Sequence, residues 1–108
     1  MDITIISRNV SIGPRLRQLI EKRLHFALHR FSDLLGSVKV TFSDINGPRG
    51  GVNKHCRIVV DVESIGTVVI RETDKTLSKA ITRAASRLSQ SVSRLIKKRQ
   101  LSHRRKAA

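Results

Sequence analysis

From Leu77 to Ile96 the apolar residues Leu77, Ile81, Ala84, Ala85, Leu88, Val92, Leu95 and Ile96 recur at short helical steps. At about 100° per residue most of them fall within roughly a third of a helical circumference. A helix this long and this one-sided has to lay its stripe on another layer of the chain. In 108 residues that means one shared hydrophobic core.

The other layer can be read upstream. Ile3 and Ile5 alternate around Thr4, predicting a strand over residues 2–7. Gly13 and Pro14 mark a helix start, because proline is preorganised at the first helical position. Leu16, Leu19, Ile20, Leu24, Ala27, Leu28 and Phe31 then trace a helical face to about Asp33, with Gly36 as its stop signal. Val38, Val40 and Phe42 alternate with Lys39, Thr41 and Ser43, a half-buried strand. Asn46 to Gly51 is too rich in glycine and proline for any regular element. Cys56, Ile58, Val60 and Val62 alternate with polar neighbours, and Val68 to Arg71 follows a turn at Ser64 to Gly66, which predicts a hairpin. Thr73 or Asp74 is the expected N-cap of the second helix, which runs to about Lys98. The order β-α-β-β-β-α predicts an α+β two-layer sandwich, a four-stranded sheet with two helices on one face. Residues 1–98 form the domain, and the aperiodic residues 99–108 are expected to be a basic disordered tail.

The charge is distributed unevenly. Lys and Arg number 22 against 8 Asp and Glu, a net +14, so a polyanion is the expected partner. All eight acids lie within the first 74 residues, and from Lys75 onward there are eleven bases and no acid. Taking Lys79 as zero, Arg83, Arg87, Arg94 and Lys98 fall at about 40, 80, 60 and 100° around the second helix. Like charges four residues apart repel by a few tenths of a kcal/mol, so such a row implies compensation from outside the helix. The first helix carries Arg15, Lys22 and His29 at seven-residue steps, with Arg23 and Arg30 nearby and Glu21 as the local acid. With the helices side by side on the sheet, the two rows are expected to flank one groove.

Several classes are disfavoured. No apolar run approaches the ~18–20 residues that cross a bilayer, and no signal peptide is visible, so a cytoplasmic protein is expected. Phe26, Phe31 and Phe42 are the only aromatic rings apart from histidine, which argues against single-strand readers that stack bases on exposed rings. His25 and His29 have the i, i+4 spacing of a metal pair but lack the intervening Glu and a third ligand. His55 and Cys56 point to opposite faces of a strand, so Cys56 is expected in the core rather than in a nucleophilic dyad. Gly47 to Gly51 lacks the Lys-Ser/Thr ending and following helix of a phosphate loop, although Arg49 is available for a phosphate. No carboxylate pair suits acid/base work. No enzyme activity, cofactor, metal or small-molecule substrate is expected.

The ordered landmarks carry a resemblance. After the first strand come Val10, Ile12, Pro14, Leu16 and Arg17; then Ile20, Glu21, Arg23, Leu24, Arg30 and Phe31; then Ala80 and Ile81 with Arg87 and Leu88. Over about residues 2–98 the chain resembles the ribosome hibernation promoting factors, also called ribosome-associated inhibitors or sigma-54 modulation proteins, in their short form. The resemblance implies a fold similar to a double-stranded-RNA-binding domain. It also implies binding to the small ribosomal subunit and its rRNA, in the channel of mRNA and tRNAs, which blocks translation and promotes hibernation under stress or in stationary phase. It places basic helix residues on rRNA phosphates, and the cationic rows make Lys79, Arg83, Arg87, Arg94, Lys97 and Lys98, assisted by Lys22, Arg23 and Arg30, the expected contacts. The long form's dimerisation domain is not expected here. Many members carry Asp-Met-Tyr where this chain has Thr76, Leu77 and Ser78. Other classes compatible with the sequence are a general double-stranded-RNA binder and a protein-binding regulator of a sigma factor.

Overall fold

A computed structural model describes residues 2–44 and 54–107, with side chains described through Leu101. The elements are β1 (Asp2–Arg8), α1 (Pro14–Leu28), β2 (Leu35–Asp44), β3 (Lys54–Val62), β4 (Gly66–Asp74) and α2 (Leu77–Ala107). They form the expected β-α-β-β-β-α sandwich, with the strands in the order β1-β2-β3-β4. β1 runs parallel to β2, as a helical crossover between neighbouring strands requires, and the other two pairings are antiparallel.

The period-two residues supply one side of the core. Val38, Val40 and Phe42 of β2, Cys56, Ile58, Val60 and Val62 of β3, and Val68 and Ile70 of β4 all point under the helices. Facing them are Ile20, Leu24, Ala27 and Leu28 of α1 and Ala80, Ile81, Ala84, Ala85, Leu88, Val92 and Ile96 of α2. Burying each large aliphatic or Phe side chain contributes about 1.5–3 kcal/mol, which is what holds the two layers together.

Four boundaries differ from the sequence reading. α1 stops at Leu28, and His29–Leu34 winds as a 3₁₀ turn that keeps Phe31 against the core. Gly36 does not terminate a helix. It lies inside β2, where the Asp61 carboxylate folds over it and an added Cβ would sit 2.9 Å from Asp61 Oδ2. Thr73 and Asp74 finish β4, and the α2 cap is Thr76, whose hydroxyl accepts the Lys79 N–H at 3.2 Å. α2 continues past Lys98 to Ala107, beyond Ile96, the last buried residue among those whose side chains are described. Residues 99–107 contain neither glycine nor proline and include several good helix formers, so local backbone bonding carries the helix on. The expected loop of Asn46 to Gly51, with Arg49, lies outside the described residues. Among the described residues no helix is long and apolar enough to cross a membrane.

Candidate nucleic-acid interface

The α2 stripe packs down on β3 and β4, which turns the cationic row upward and toward β4. Arg83 Nη1 lies 3.2 Å from Asp74 Oδ2 at the end of that strand. One turn on, Arg87 Nη1 lies 2.9 Å from Glu72 Oε1 and donates to the Arg71 carbonyl at 2.8 Å. Arg94 and Lys98 follow beside Thr67 and Val68, at the start of β4. The row therefore runs the length of the edge strand, its Lys79 and Arg83 end also bordering α1 and its Arg94 and Lys98 end meeting β4 alone. The two helical rows flank a shared depression only at the start of α2, where Arg23 meets Lys79 and Arg83; farther along, Arg94 and Lys98 stand beside β4, and Lys22 lies toward β1.

The ridge is only partly free. Arg83 and Arg87 each hold a carboxylate of β4, yet their side chains remain 62% and 54% exposed, leaving guanidinium N–H groups for an outside acceptor. The Lys75 backbone N–H, donating to Asp74 Oδ1 at 2.7 Å, and the nearby Arg83 and Lys79 hold the Asp74 carboxyl below its ordinary value. Among the described residues Arg94, Lys97 and Lys98 have no carboxylate within ion-pair distance.

The α1 cations divide between two sides. Lys22 lies toward β1, with Ile3, Gln18, Glu21 and His25. Arg23 faces α2 and shares a shallow depression with Lys79, Arg83 and Asp74. Arg30 lies 4.5 Å over the Phe31 ring, and its Nη2 donates to Ser89 Oγ at 3.3 Å, so it is fixed at the seam between the helices.

The sequence reading passed over two features. Phe26 is 87% exposed at the outer edge of that seam. Its place about 160° from Leu24 on the helical wheel was the available signal. On the open face of the sheet, Arg57 and Arg71 are exposed cross-strand partners, a like-charge pair that weakens an isolated hairpin. The remaining candidates are more ordinary. The His25 and His29 rings stack at 5.2 Å, and among the described residues no third ligand joins them. His55 Nδ1 lies 3.4 Å from Thr73 Oγ1 on the face away from Cys56. Cys56 is fully buried, and burial, followed by the charge of Glu72, pushes its thiol up to about 12.

The sequence matches the family described as sigma 54 modulation protein / S30EA ribosomal protein over residues 3–100. The chain belongs to this family. A ribosomal subunit interface protein from Coxiella burnetii has the same fold, with a TM-score of 0.71 at 22% identity over 87% of this chain and 96% of the other. The N-terminal domain of Thermus thermophilus Protein Y is similar, with a TM-score of 0.70 at 33% identity over 87% of this chain and 98% of the other. No curated protein sequence matches the chain.

Proposed function

We propose that the chain binds the small ribosomal subunit in the channel of mRNA and tRNAs and silences translation by occupying it. In doing so it promotes hibernation of idle ribosomes under stress or in stationary phase. The cationic edge of α2 lies along rRNA phosphates through Lys79, Arg83, Arg87, Arg94, Lys97 and Lys98, with Lys22, Arg23 and Arg30 of α1 assisting. The observation that carries this reading is the run Arg94, Lys97 and Lys98, which has no carboxylate partner among the described residues and needs counter-charge from outside. Family membership and the ribosomal description of the Coxiella burnetii neighbour support it. The mechanism is steric and electrostatic and makes or breaks no covalent bond.

The test replaces Arg94, Lys97 and Lys98 together with Ala. All three lie on the exposed flank or at the end of the packed stripe, so the fold should survive. Affinity for small subunits should fall, and the slope of log affinity against log salt should drop by roughly 2–3 units, at about 0.7–0.9 per lost phosphate contact. Unchanged co-sedimentation and an unchanged slope would remove the ridge from the interface. An excess of plain duplex RNA should fail to displace the parent protein from the subunit. Displacement would point instead to a general reader of A-form shape.

A further inference from the structure

Between α1 and α2 the helix layer opens into a depression of about 420 Å³, within the size range of small-ligand sites. Arg23 and Phe26 form one wall, and Thr82, Ser86, Ser89 and Gln90 form the other. The floor is Ala27 and Ala85, both buried, whose small side chains let the helices close beneath it. A single exposed apolar residue needs no explanation on its own. Phe26 differs in its surroundings. Arg23 precedes it by one turn and Arg30 follows it by one turn, the latter fixed between the Phe31 ring and Ser89. Opposite it stands a row of neutral hydroxyl and amide groups, and no carboxylate lines the depression among the described residues.

We propose that this depression receives one unpaired RNA base. The base lies flat against the Phe26 ring, its edge meets Gln90 and the facing hydroxyls, and the adjoining phosphates lie on Arg23 and Arg30. The chemistry selects this occupant. A duplex stack offers no free base face to an aromatic ring, whereas an unpaired nucleotide offers a face, a hydrogen-bonding edge and a negative charge together. An apolar protein helix would meet a wall of hydroxyls and cations. The inference rests on the ribosomal-RNA reading above and adds a point of base contact to a surface otherwise read as phosphate-binding.

The experiment compares the parent with Phe26→Leu and Phe26→Tyr on purified small subunits across a salt series. Leucine keeps the apolar surface and removes the aromatic face, and at so exposed a position neither substitution should disturb folding, which circular dichroism checks. Phe26→Leu should weaken binding by about 5- to 150-fold at fixed salt, the range of one base–aromatic stack. Its salt slope should match the parent's, and Phe26→Tyr should restore the affinity. If the parent binds small subunits and Phe26→Leu binds equally well, the stacking proposal is overturned while the ribosomal reading stands. A single-stranded RNA of about ten nucleotides carrying 2-aminopurine serves as the second probe. Should the parent fail on small subunits yet change the probe's fluorescence in a Phe26-dependent way, the ribosomal reading fails and the base site stands.

Discussion

Arg87 reaches from α2 to Glu72 on the edge strand, with Nη1 2.9 Å from Oε1, and the same nitrogen donates to the Arg71 carbonyl at 2.8 Å. One side chain thus pins the helix to the sheet and stands in the ridge proposed to meet RNA. Its carboxylate partner offsets part of the charge the ridge offers. Glu72→Gln separates these roles, because the amide oxygen can still accept a hydrogen bond while the negative charge is lost. Thermal stability should fall by no more than about 1 kcal/mol, as for other ion pairs with a well-exposed partner. Retention on a polyanion such as heparin should increase, and its salt dependence should steepen. Weaker retention would mean that Glu72 presents Arg87 to the ligand rather than competing for it.

Asp74 makes the start of α2 sensitive to acid. Its folded-state value lies below the ordinary carboxylate value, first through the Lys75 N–H and then through Arg83 and Lys79. A depressed carboxylate stabilises the fold fully above its unfolded-state value of about 3.9, and that contribution disappears as pH falls through the lower folded-state value. Denaturant unfolding of the parent and Asp74→Asn should therefore show a constant difference from neutral pH down to about pH 5, shrinking toward zero in stronger acid. A difference that persists in strong acid would assign the effect to packing rather than to charge.

Cys56 should be chemically silent in the folded protein. With the thiol buried and pushed up to about 12, almost no thiolate exists at neutral pH. A disulfide reagent should react only as fast as the chain opens, and denaturant should release the full reaction. The linkage has the opposite sign to that of Asp74: above an ordinary thiol value of about 8.5 the unfolded chain ionises first, so raising the pH costs stability. Cys56→Val should remove that part of the alkaline decline. Rapid labelling of the native protein at pH 8 would contradict the burial.

Much of the fold was legible because each core-facing residue repeats with its element's own period. Val38, Val40 and Phe42, or Ile81, Leu88 and Val92, identify a strand and a helix without reference to their partners. Boundaries were harder to read where a competing contact decided them. Gly36 looks like a helix stop until Leu35 is seen already buried in β2, with the Asp61 carboxylate lying over the glycine. Thr73, Asp74 and Thr76 all have capping chemistry. Pairing of Thr73 with His55 and of Asp74 with Lys54 claims the first two for the sheet and leaves the cap to Thr76.

The candidate site divides the same way. The sequence alone determined that one flank of α2 is a cationic row and that no acid follows Asp74, since both depend only on residue order and helical pitch. Only the tertiary structure decided which neighbour that flank meets. It set Arg83 and Arg87 against carboxylates that are near neighbours only across the layers, and it laid the row along β4, with only its first members also meeting α1. It also left the Phe26 ring at the rim of a polar seam. Local periodicity fixes a side chain's azimuth on its own helix, but the contacts at that azimuth depend on how the two layers pack.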